Sequence, residues 1–293
     1  VREGEVIMKQ LIVYQRPRYH NPQLLLGFTG WMDGGNVSTG TVVYLRDVLK
    51  AEFFAEIEPQ DFYIFNLPGS MEEVAQFRPY TLIREGLVID FHYPQNHFFC
   101  AEDHDLVLFF GKEPNLRWNE YVDNILSLAS EFNVRRIYFV GSFGGLTPHT
   151  REPRVFCSVS HEHLKQEISA YGVRLSNYEG PASITTLLVV SAQKRNIEVV
   201  NLVVEIPMYV QAPNPKGIRS VCRLLAPLLG LDLPFQDLDR MCEEFEKNID
   251  RIVSERADLA EQIRKLEENY DQEIVGDEEN FREWLRRHGI DKI

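Results

Sequence analysis

With 293 residues, of which 44% are hydrophobic and 26% charged, the chain has enough apolar material for a large folded core, and wholesale disorder is excluded. Its 44 acidic and 31 basic side chains give a formal net charge of −13. A field of that sign repels phosphate backbones and anionic membrane surfaces, so neither nucleic acid nor a membrane is an expected partner.

Residues 1–10 (VREGEVIMKQ) hold no apolar run of the kind a signal peptide needs. The apolar stretches at 106–110 and 185–190 are far shorter than the roughly 20 residues that span a bilayer. Cys100, Cys157, Cys222 and Cys242 stand far apart with no C-x-x-C pair. They read as reduced thiols of a cytoplasmic protein, and neither a metal site nor a cofactor is expected.

In chain order, 11–15 and 24–28 are short β-type runs, and Gly27-Phe28-Thr29-Gly30 ends the second. From 34 to 50 the spacing becomes helical, with Val37, Thr41, Tyr44, Leu45 and Val48 on one face. Residues 61–66 read as a strand, and 80–84 with 87–91 flank Glu85-Gly86 as a hairpin. The run DLVLFF at 105–110 is continuously apolar, as in a parallel strand covered on both faces. A helix over 117–132 and a strand over 135–140 follow, together the length of a βαβ unit. Helices at 161–170 and 181–194, a strand at 197–206 and a helix at 216–229 complete an alternating α/β body.

After Pro234 the pattern changes. Leu238, Met241, Phe245, Ile249, Ile252, Val253, Leu259, Ile263, Leu266 and Tyr270 form one apolar stripe on a charged helix of about 50 Å. Such a stripe packs either on the body of its own subunit or on a partner helix. Gly276-Asp277 is expected to break it, Asp277 to cap a last short helix, and Gly289 to end that helix. The division is an α/β domain over 1–235 and a helical extension over 236–293, the latter expected to hold an assembly together without building the core.

Polar clusters follow the expected strands. Gly30-Trp31-Met32-Asp33-Gly34-Gly35-Asn36 offers backbone amides and a carboxylate at a helix start, as a ligand loop or as a tight turn with a cap. Gly111-Lys112-Glu113 puts a carboxylate at the carboxyl edge of a central strand, free for a ligand or paired with Lys112 or Arg117. The stretch 141–151 adds Ser142, Gly144, His149 and Arg151: an imidazole for proton transfer or structural bonding, and a guanidinium suited to an anion. Glu179, in Tyr178-Glu179-Gly180-Pro181, and Glu205 with Tyr209, in Glu205-Ile206-Pro207-Met208-Tyr209, add carboxylates and a ring. No Walker loop, dinucleotide fingerprint or G-x-S-x-G elbow is present. If these loops leave one carboxyl edge they converge on one pocket; the competing arrangement has Arg151 held by Glu113 or Asp33 in an ion pair.

G-W-x-D-G-G at 30–35, G-K-E-P-N-x-R-W at 111–118, P-H-T-R at 148–151, Y-E-G-P at 178–181 and I-P-x-Y-V at 206–210 occur in that order. Together they resemble the PAC2 (proteasome assembly chaperone 2) family, over roughly 11–235. The resemblance implies a nucleoside-phosphorylase-like α/β core, a mostly parallel sheet flanked by helices, with a long C-terminal helical arm. It also implies a homo-oligomer, commonly a trimer, and for some relatives capture of the C-terminal tails of proteasome subunits. Members are often labelled ATP-grasp-like, and the family supplies no agreed catalytic residues. Two functions therefore stand open. One is a non-enzymatic assembly protein that binds a partner or peptide tail. The other is an enzyme or sensor that binds a small anionic ligand, such as a nucleotide, at the strand ends. The candidate ligand residues are Gly30, Asp33, Gly34, Glu113, Gly144, His149, Arg151, Glu179 and Tyr209.

Overall fold

In the computed structural model, which describes residues 10–287 and side chains as far as 272, the continuous apolar runs become the middle of one sheet. β1 (Leu11–Val13), β2 (Gln23–Thr29), α1 (Val37–Val48), β3 (Glu52–Ile57) and α2 (Met71–Ala75) come first. β4 (Tyr80–Arg84) and β5 (Leu87–His92) form a separate hairpin. Then come β6 (His97–Ala101), β7 (Leu106–Lys112), α3 (Trp118–Glu131), β8 (Arg136–Gly145), β9 (Arg154–Val159), α4 (Glu162–Ser169) and β10 (Arg174–Leu175). α5 (Ile184–Gln193), β11 (Glu198–Pro207), α6 (Pro215–Leu229), α7 (Gln236–Ser254) and α8 (Ala257–Arg287) follow.

The large sheet runs β1-β3-β6-β7-β2-β8-β11-β9-β10. Its centre, β7-β2-β8-β11, is parallel throughout, and β6 and β9 flank it antiparallel. Strand alternation divides the core between the two faces. Leu25 and Leu108 point into one cluster with residues of α1, α6 and α7, while Leu24, Leu26 and Phe109 point into the other with α3 and α5. Each such leucine, buried outright, contributes on the order of 2 kcal/mol. No helix among the described residues is long and apolar enough to cross a membrane.

Three departures from the expected elements have local causes. Residues 61–66 are not a strand: Asp61 is left-handed (φ +72), and Phe62 turns inward, its carbonyl accepting from the N–H groups of Asn115 and Leu116 at 2.9 and 3.0 Å. The strand in this region is β3, whose pairing shifts register between Phe53 and Ala55, so its sequence does not alternate cleanly. Pro181 lies three residues ahead of α5 rather than in its first turn.

The C-terminal stripe is two helices. They part at Glu255-Arg256, inside the stretch 254–258 that carries no large apolar residue, and α8 continues through Gly276-Asp277 without a break. No separate last helix begins at Asp277, and Gly289 lies outside the described residues. The inner face of α7 packs on its own subunit: Leu238, Cys242 and Phe245 are buried, and Leu238 joins the apolar cluster of Leu231 and Leu233. The boundary expected at 235/236 falls inside that cluster, so α7 does help to build the core.

Candidate functional site: two ends of one sheet edge

β2 and β7 end side by side, and the loops leaving them are joined across Gly30. This glycine has φ +135, and a Cβ on it would stand 3.0 Å from Glu113 Cβ. Only glycine suits both demands. The chain then turns through Gly35 and Asn36, both left-handed, into α1. Asp33 holds this turn: its carboxylate accepts from Thr39 N–H at 3.1 Å and from Thr39 Oγ1 at 2.7 Å. Burial raises the Asp33 carboxyl to about 6 against the pull of those hydrogen bonds. Gly34 is tied to β8, its carbonyl accepting from Ser142 Oγ at 2.7 Å.

Glu113 is neither free nor paired with Lys112 or Arg117. Its two oxygens accept from Ile184 N–H at 3.0 Å, at the start of α5, and from Trp31 N–H at 3.4 Å. Arg117 is engaged with Asp61 and Glu120. Lys112 donates through Nζ to the Gln76 carbonyl at 2.9 Å, and burial lowers its pKa. Lys112, Glu113 and Gln76 line a cleft of about 1000 Å3 together with Asp33, Trp31, Phe77 and Trp118.

At the ends of β8 and β11 the loop 145–153 is covered rather than open. Glu205, 6% exposed, accepts from Leu146 N–H at 2.8 Å and Thr147 Oγ1 at 2.6 Å and meets Arg154 at 3.3 Å. Gly145 has no room for a side chain here, since a Cβ would lie 2.2 Å from Glu205 Oε1. His149, 2% exposed, lies between Tyr209, whose hydroxyl is 2.7 Å from Nδ1, and Asp250 of α7, 3.0 Å from Nε2. Burial pushes the Tyr209 phenol up to about 12 and keeps it a neutral donor. When the Tyr209 hydroxyl donates its proton to Nδ1, Nε2 is the ring nitrogen that carries the N–H and donates to Asp250.

The same loop meets α8: Thr150 donates to Glu267, Arg151 forks onto Asp271 at 2.7 and 2.8 Å, and Tyr270 Oη donates to the Glu152 carbonyl at 2.9 Å. Lys216, 3% exposed, donates to the His149 carbonyl at 2.6 Å and pairs with Glu246 of α7.

The candidates therefore divide. Gly30, Asp33 and Glu113 share the cleft, while Gly34 does not line it and is instead tied to Ser142 of β8. His149, Arg151 and Tyr209 belong to the covered end, where Gly144 packs against Met208. Glu179 is exposed on the segment ahead of α5. Arg151 is in an ion pair, but its partners are Asp271 and Glu267 of α8 rather than Glu113 or Asp33.

The family model for PAC2 matches residues 27–253. The chain belongs to the PAC2 family. Among solved structures it is similar to the proteasome-assembly chaperone homologue Rv2125 of Mycobacterium tuberculosis. That match has 26% identity and a TM-score of 0.71, over 82% of this chain and 99% of that one. The M. tuberculosis protein of unknown function Rv2714 matches at 21% identity and a TM-score of 0.81, over 96% and 94%. The archaeal proteasome activator PbaB of Pyrococcus furiosus matches at 22% identity and a TM-score of 0.60, over 83% and 97%. A comparison with curated proteins finds no match. The PAC2 match takes in both loop clusters and nearly all of α7 and stops short of α8.

Gln76 and Phe77 carry no site signal in the sequence, because the bend that brings them to the cleft is a tertiary feature. Asp250, Glu267 and Asp271 look in sequence like ordinary solvated charges of a helical arm. Their one signal was position: Glu267 and Asp271 share a helix face with Ile263 and Tyr270, the buried side of α8.

Proposed function

We propose that this PAC2 protein is a non-catalytic assembly factor that takes an extended segment of a partner protein, such as a C-terminal tail, into the cleft at the ends of β2 and β7. The observation that carries this reading is the commitment of the titratable groups. Asp33, Glu113, Glu205 and His149 are each spent on holding a loop or a helix. What faces the cleft is aromatic surface with one cation and two carboxylates, a mixture that suits a peptide. Relatives described as a proteasome-assembly chaperone homologue and a proteasome activator support the same class of role.

The second reading, an enzyme or sensor for a nucleotide or other small anion, is favoured by the cleft's place at the carboxyl ends of parallel strands and by the half-buried Lys112. Asp33 and Glu113 beside that lysine weigh against a polyphosphate. Cys157, Cys222 and Cys242 are buried free thiols, which fits a reducing, cytoplasmic setting. The resemblance brings a homotrimer as the expected assembly.

Trp31 and Trp118 both line the cleft and report on occupancy. Peptides with a free terminal carboxylate should quench or shift their fluorescence, and Lys112→Gln should weaken that binding by at least about 10-fold, the scale of one lost charge-assisted hydrogen bond. If ATP or inorganic phosphate raises the melting temperature instead while peptides do nothing, the second reading replaces the first.

A further inference from the structure

Among the described residues, β4 and β5 pair only with each other and stand apart from the large sheet. A two-stranded sheet is marginal by itself, and one that lies on its own body buries one face. This hairpin buries neither. Residues opposite one another share a face, so the register places Ile83, Val88 and Phe91 on one side and Tyr80 and Leu87 on the other, with Ile89 at the irregularity between them. All six are between 51% and 67% exposed. The base is fixed to the body, with Tyr93 packed on Phe65 at 5.4 Å and on Phe91 at 5.3 Å.

We infer that this hairpin is the surface by which copies of the chain join, a reading that gives the proposed homo-oligomer its contact. Three observations select a second copy as the occupant. The six side chains expose about 600 Å2, taking roughly 180 Å2 for each whole side chain, against about 800 Å2 per partner in a stable interface. The chain carries a net charge of −13, so a like-charged copy is repelled from most of its surface, whereas residues 80–93 hold only Arg84, Glu85 and Asp90 as formal charges. Apolar residues on both faces let one hairpin seat between neighbours, as a closed ring of copies requires.

Light scattering and sedimentation of the full chain should give a multiple of 34.1 kDa. Ile83→Glu and Phe91→Glu should each weaken self-association by at least about 100-fold and leave near-UV dichroism and the cooperative melt unchanged, because the hairpin lies outside the large sheet. Val88→Arg should do the same with the opposite charge, which separates lost apolar contact from added repulsion. Variants that fold and keep the wild-type mass overturn the inference. So does a wild-type chain that stays at 34.1 kDa up to about 100 μM, which would leave the hairpin to a different protein. Lys112→Gln should not alter the mass, so failure of the cleft reading is seen separately.

Discussion

The parallel strands end in two neighbourhoods that began with similar material and were finished differently. At β2 and β7 the glycine-bearing loops leave a cleft, and their carboxylates are satisfied locally by Thr39, Trp31 and Ile184. At β8 and β11 the loop carries His149 and Arg151, the start of α6 adds Lys216, and α7 and α8 close over them with Asp250, Glu246, Glu267 and Asp271. Positive character inside an acidic protein is present where Lys216 and Arg151 stand, and the C-terminal helices neutralise it. Loop composition alone does not distinguish a ligand site from a docking platform. The element brought in from elsewhere in the chain decides.

The largest expected effect comes from removing that element in steps. Ending the chain after Leu233 removes Leu238, Cys242 and Phe245 from the core and leaves Lys216, 3% exposed, without its carboxylate. The loss should exceed about 5 kcal/mol, from unfilled core positions and a buried charge left unpaired. Ending after Ser254 keeps α7 and gives up the contacts of α8, including the buried Ile263 and Tyr270. We propose that the separable part of the arm begins there and that this shorter chain still melts cooperatively. Urea melts of the two truncations test the order; equal losses would make α7 as dispensable as α8 and restore a boundary at 235/236.

Much of the body was legible because its signals are local. The apolar runs in DLVLFF and RRIYFV became the cores of β7 and β8, and Glu85-Gly86 marked the hairpin. β6, β9 and the bulged β3 were missed because antiparallel flanking strands owe their place to long-range partners. The site was legible as clusters and illegible as a grouping. The motif around Gly30 shows that a glycine is needed but not that Glu113 is what crowds it. Ser142, in the third cluster, bonds Gly34, in the first. His149 and Arg151, a few residues further on, are drawn to helices about 100 residues away in sequence.

An intermediate effect should appear at the cleft through pH. Asp33 has its carboxyl raised from an ordinary 3.8 to about 6 by burial, so folding favours its protonated form. A raised folded value places the stabilising contribution below the unfolded value and removes it as pH climbs through the folded one. Between pH 4 and pH 7 the ionised Asp33 therefore costs about 3 kcal/mol before any relaxation of the site. Asp33→Asn keeps an acceptor for Thr39 N–H and removes the charge. The variant should match the wild type near pH 4 and be more stable by about 1–3 kcal/mol at pH 7. A variant less stable than the wild type at pH 7 would mean that the charge-assisted bonds to Thr39 outweigh burial.

The smallest effect is expected at Arg151, and it separates the two neighbourhoods most directly. The side chain is 33% exposed, and Asp271, which it forks onto, is 52% exposed. Water screens such a pair, and the paired side chains give up rotamer freedom to hold it, so its net worth is small. Arg151→Ala should lower the melting temperature by no more than about 2 °C, and this difference should shrink further in 0.5 M salt. Peptide binding at the Trp31 and Trp118 cleft should be unaltered, because Arg151 belongs to the covered end. The local consequence should be faster amide exchange in α8 around Glu267 and Asp271, since the guanidinium is a clamp on that helix. Should Arg151→Ala instead abolish peptide or anion binding while α8 exchanges as in the wild type, the arginine would be a ligand group. The covered end would then have to open for the protein to work.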